Sequence, residues 1–262
     1  MLPKEHGAWN GLFIGLAAGW IGLGRFSWAA LAVSILWLTA FSLRGPWNIY
    51  RQYRNVDPAR TYRARIFLAL LGLSALAGIW GFVAWAPALS LRMAGRFGVP
   101  LGLVLTLLIA WNRNLRFPLA EVLGFSALTL ATPVLYLCGP SHDLFWAFWL
   151  WGFFGGYFLL SLAGVKIRQK WLEDSRRGRR SLPADRLSQG WWVILLYALW
   201  VEALGDTCGG KLILMAAPLY AALRALAGLA WGKPDTPMMR LGILEMVHSI
   251  LFTSIWAWTW SR

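Results

Sequence analysis

Apolar runs long enough to cross a bilayer, separated by short loops whose basic residues fall on alternate sides, constrain this chain more than any other feature. A helix needs about 20 mostly apolar residues to cross the hydrocarbon core. Nine such runs lie near residues 8–24, 26–43, 64–86, 97–111, 117–137, 143–165, 189–206, 210–231 and 239–260. They predict an all-α, polytopic transmembrane bundle, a single domain over residues 1–262 with basic loops at 44–63 and 166–188.

Counting Lys and Arg by side sets the orientation. With the N-terminus inside, the cytoplasmic set holds 19: Lys4, the six arginines from Arg44 to Arg65, Arg113, Arg116, the eight basic residues from Lys166 to Arg186, Lys233 and Arg240. The other face receives Arg25, Arg92, Arg96, Lys211 and Arg262, and Arg224 is left inside a span. Basic loops stay with the cytoplasm, so the expectation is an inner-membrane protein, N-terminus in and C-terminus out.

Composition limits what the charge can mean. A net charge of +14 would suggest nucleic acid in a soluble domain, but here it is confined to loops, no reader motif accompanies it, and the chain is 58% hydrophobic with 19 Trp. Anionic phospholipid head groups are the expected partner instead. Trp9, Trp111, Trp171, Trp191 and Trp231 fall at predicted cytoplasmic ends, and Trp85, Trp256, Trp258 and Trp260 near the other face, as membrane–water interfaces favour. The first run has a leader-like start at Lys4 and a cleavage-like Ala17-Ala18-Gly19, but the acid and histidine of Pro3-Lys4-Glu5-His6-Gly7 and the span that follows favour a retained helix. Cys138 and Cys208 are both expected at the outer face, either as a disulfide or as two unpaired thiols.

Small residues at packing spacing, Gly15, Gly19 and Gly22 in the first run and Gly152, Gly155, Gly156 and Gly164 in the sixth, are expected to bring helices close. Ionisable residues inside spans carry more information, because each is costly in lipid and faces a partner or a cavity. Glu121, Glu202, Arg224, Glu245 and His248 are of this kind. Arg224 and Glu245 share a depth and can pair; that pair alone would neutralise two buried charges without any further role. Glu202 falls nearer the outer face. Glu121, Arg224, Glu245 and His248 outline a polar ring in the cytoplasmic half of the bundle, with Lys4, Glu5, His6 and Asn10 from the chain start and Asn112, Arg113 and Asn114 between spans four and five at its mouth, a cytoplasm-facing cavity suited to an anionic head group.

Pro3-Lys4-Glu5-His6-Gly7-Ala8-Trp9 resembles the opening signature of the YwiC-like family of bacterial integral membrane proteins. Leu119 to Phe125, Val165-Lys166-Ile167-Arg168 and Leu241 to Glu245 echo it further along. The resemblance implies a multi-pass membrane protein and no particular activity. More remotely, the nine runs, the orientation and the two long basic loops are similar to the UbiA-type prenyltransferase superfamily, in which each of those loops carries an Asp-rich motif holding magnesium on a prenyl diphosphate. Here the loops offer Asn48 and Asp57, then Glu173, Asp174 and Asp185, among arginines. Magnesium wants carboxylate oxygens in octahedral geometry, whereas arginine grips phosphate directly.

The sequence therefore predicts a UbiA-like bundle that binds, or also transforms, an isoprenoid or quinone-like amphiphile. The expected ligand-binding set is Lys4, His6, Asn10, Arg113, Asn114, Lys166, Arg168, Arg224 and His248, with Glu121 or Glu245 as proton acceptor. No metal or cofactor motif is evident, and a mixed His6, Glu121 and Glu245 metal site is the weaker reading. A transporter and an accessory subunit of a membrane complex are the rival functions; the first lacks the repeated broken helices of a transport site.

Overall fold

A computed structural model describes residues 6–85, 128–139, 143–177, 183–207, 212–231 and 238–260. Within them the chain is wholly helical: α1 (His6–Leu23), α2 (Trp28–Tyr53), α3 (Pro58–Trp85), α4 (Ala131–Tyr136), α5 (Leu144–Arg176), α6 (Pro183–Thr207), a short 3-10 turn at Leu212–Met215 that leads into α7 (Ala216–Trp231), and α8 (Met238–Trp260). The predicted run at 97–111 and most of that at 117–137 lie outside the described residues.

Four of these helices contain stretches long and apolar enough to cross a membrane, Trp28–Tyr53, Pro58–Ala84, Leu144–Ser175 and Arg240–Trp260. The chain is a helical membrane protein. Its surface agrees: α3 exposes Ile66, Phe67, Leu70, Leu73, Leu76, Ile79, Trp80 and Val83 along its length, a face that would aggregate in water but matches acyl chains.

The basic stretches at 44–63 and 166–188 are largely helix. α2 runs on through Pro46 to Tyr53, and α3 resumes at Pro58. Between them Asp57 accepts a hydrogen bond from the Arg60 amide (3.0 Å) and pairs with the Arg60 side chain (3.0 Å), so it caps the exposed amides of α3. Thr61 donates to the Tyr53 carbonyl (2.8 Å) and closes the turn. α5 likewise starts on a cap, Asp143, whose carboxylate accepts from the Phe145 and Trp146 amides. Arg168 therefore projects from a continuous helix rather than a loop.

Two apolar clusters organise the described residues. Leu12, Leu16, Leu23, Ala30, Val33, Ala131 and Leu135 join α1, α2 and α4. The larger cluster joins α5 to α8 around Phe153, Phe154, Tyr157, Tyr197, Phe252 and Trp256, with Tyr157 stacked on Phe252 at 4.0 Å between ring centres. Trp171 and Trp256, expected at interfaces, are fully buried here. Gly24, at φ +69°, ends α1 in the left-handed region that glycine tolerates, its amide bonded back to the Trp20 and Ile21 carbonyls.

Gly19 is where α1 and α4 approach closely: an added methyl would sit 2.6 Å from Leu135 Cβ and 3.1 Å from the Thr132 carbonyl oxygen. Gly19→Ala is expected to lower the melting temperature of the purified protein in mild detergent, at a cost of about 1–3 kcal/mol. Gly72→Ala, which meets open space in the interior of α3, should not lower it, and should gain up to about 1 kcal/mol because alanine is the better helix former. Equal melting of the two variants would contradict this α1–α4 contact.

Candidate functional site

The polar groups of the larger cluster converge on one carboxylate. Glu245 on α8 takes the Arg224 guanidinium of α7 on one oxygen and the Ser161 hydroxyl of α5 on the other. Only 11% of the arginine and 14% of the glutamate side chain is exposed, so neither charge can turn to water for solvation. Pairing is then obligatory, because an isolated buried ion costs several kcal/mol.

One turn along α8, Ser249 joins three helices. Its hydroxyl donates to the Glu245 carbonyl (2.7 Å) and accepts from the Asn10 amide of α1 (2.9 Å). Tyr157 of α5 lies 3.2 Å away; with the only serine proton already given to the carbonyl, the tyrosine is the donor. His248 Nδ1 shares a hydrogen bond with the Tyr220 hydroxyl of α7 at 2.6 Å.

Beside the ion pair is a small pocket walled by α5, α6, α7 and α8, among them Ser161, Gly164, Arg168, Tyr197, Arg224 and Glu245. Arg168 is partly buried and within electrostatic reach of Glu245 and Arg224. Among the described residues no hydrogen bond or ion pair engages its guanidinium. It lies against α7 at Gly228, where any side chain would collide with its Nη2. Tyr197 is 1% exposed, and its hydroxyl has no hydrogen-bond partner.

Of the residues that the sequence nominates, Asn10, Arg224 and Glu245 belong to this network, His248 makes a separate bond to Tyr220, and Arg168 lines the pocket. Lys166 is also on α5, but two residues from Arg168 and so on another face. His6 opens α1, while its side chain lies outside the described residues, as do Lys4, Arg113, Asn114 and Glu121. Glu202 is exposed on α6. Cys138 is a free thiol donating to the Val134 carbonyl (3.4 Å); Cys208 lies outside the described residues. Ser161, Tyr197 and Ser249 were not expected. Their hydroxyls sit on helix faces that read as packing, and only their shared level with Arg224 and Glu245 could have singled them out.

Magnesium of the kind the prenyltransferase resemblance implies does not fit these groups. Among the described residues no three His, Cys, Asp or Glu side chains gather, and the carboxylate at the centre is already engaged on both oxygens beside two guanidiniums. A proton-acceptor role for Glu245 would first require that pair to open.

A family model described as YwiC-like protein matches residues 2–136. No curated protein and no solved structure matches the chain.

Removing one member of the Arg224–Glu245 pair should cost about 3–5 kcal/mol, and removing both less than either single change. Arg224→Met, Glu245→Gln and the double variant, compared by thermal unfolding in detergent, check this. Additive losses would show that the two side chains do not neutralise one another.

Proposed function

The chain belongs to the YwiC-like family, and from that premise we propose a membrane protein that binds an amphiphile by its anionic head, with the pocket beside Arg224 and Glu245 as the head-group end. One observation carries this reading: Arg168 presents a guanidinium to the pocket after Arg224 has already used the available carboxylate. A partly buried guanidinium with no described counter-ion, beside an ion pair that is already complete, favours an anionic ligand. Leu160, Val193 and Leu229 give the same pocket apolar walls for the start of an acyl or isoprenoid tail.

The orientation belongs to the same reading. The basic residues near the end of α5, including Lys166, Lys170 and Arg177, would face the cytoplasmic leaflet, the bundle would follow the UbiA-like arrangement of nine helices, and the head group would enter from that side. Binding is the proposed activity; the network supplies contacts and charge, and a chemical step is not needed to explain it.

Native mass spectrometry of the protein in mild detergent, with extracted lipids identified, tests the proposal. A defined anionic amphiphile should accompany the wild type and be lost from Arg168→Gln. Bulk phospholipid alone, equally abundant on both proteins, would refute it, and stoichiometric protein partners would favour a subunit of a membrane complex.

A further inference from the structure

We propose that the head group carries a single negative charge, a carboxylate or a phosphodiester, and that one of its oxygens binds between the Arg168 guanidinium and the Tyr197 hydroxyl. The inference rests on the amphiphile-binding reading above and narrows its ligand class.

Charge balance comes first. Two guanidiniums and one carboxylate line the pocket, so the described groups leave one positive charge uncompensated. A monoanion brings the sum to zero. A diphosphate would leave the site with an excess of negative charge and no further described cation lining the pocket, and a neutral alcohol or quinone would leave Arg168 unpaired. In apolar surroundings either imbalance of charge is unfavourable.

Tyr197 supplies an independent observation. A phenol that is 1% exposed and bonded to nothing is an exception among buried polar groups and calls for an explanation. It lines the same pocket as Arg168 and has a proton to give. An anionic oxygen there satisfies the tyrosine and the arginine together.

The test uses the full chain in detergent, with thermal stabilisation titrated by a fatty carboxylate, phosphatidylglycerol, farnesyl diphosphate and farnesol. The two monoanions should stabilise the wild type, the alcohol should not, and the diphosphate should do so less. Arg168→Gln should abolish the effect. Tyr197→Phe is the sharper probe, because its lost hydroxyl has no partner in the unliganded protein: it should melt like the wild type or slightly higher, yet bind the monoanions about tenfold more weakly. Diphosphate binding as tight as the carboxylate's, or wild-type affinity in Tyr197→Phe, would overturn the single-charge site while leaving the amphiphile reading intact. Acetate that stabilises as well as the fatty carboxylate would assign the site to a free anion and overturn the amphiphile. No shift with any of these compounds would sink both readings.

Discussion

A guanidinium and a carboxylate that have left water must find each other, and the meeting of Arg224 with Glu245 is the contact around which α5, α7 and α8 are arranged. Apolar packing in a bilayer has little directional preference, because lipid tails solvate a leucine as well as another helix does. Polar contacts supply the direction. Glu245 ties α8 to α7 by charge and to α5 through Ser161, and Ser249, a turn away, ties it to α1 and again to α5. Both anchors fall on the same face of α8, so together they set its rotation as well as its depth.

Much of this was legible in the residues. Long apolar runs led to helices, and depth along the runs placed Arg224 opposite Glu245 before any packing was known. What escaped had a common cause. Tyr197 sits in an aromatic-rich helix where a phenol reads as bulk, and Ser249 looks like an ordinary small residue; their importance lies in which other helices face them, a relation between distant segments that no local pattern records. Asn10 was expected at the mouth of a cavity because it stands near the chain start, and it instead bonds Ser249 within the bundle. The basic stretches read as loops because charge interrupts hydropathy, although arginine and lysine are good helix formers and α2 and α5 simply continue past the apolar zone.

Asp57 shows how a carboxylate's local duty can displace a ligand role. Next to arginines at a turn it could be taken for the remnant of a metal motif, but it is held by the amide and side chain of Arg60. Without another carboxylate in that contact, it completes a helix end. Among the described residues Asp57 and Glu245 are each engaged by an arginine rather than grouped with further carboxylates.

Trp200 on α6 lies across Gly156 of α5, and its indole nitrogen donates to the Gly152 carbonyl at 3.2 Å. Bulk seated over a bare backbone, fastened by one directional bond, acts as a pin: α5 and α6 cannot slide past each other without lifting the ring out and stranding its N–H in lipid. Tyr197 is one turn from that pin, and of the four walls of the pocket α6 alone has no described polar tie to Glu245. Widening the pocket by moving α6 would therefore be a tilt about Trp200, with the near wall swinging while the register of the two helices is conserved.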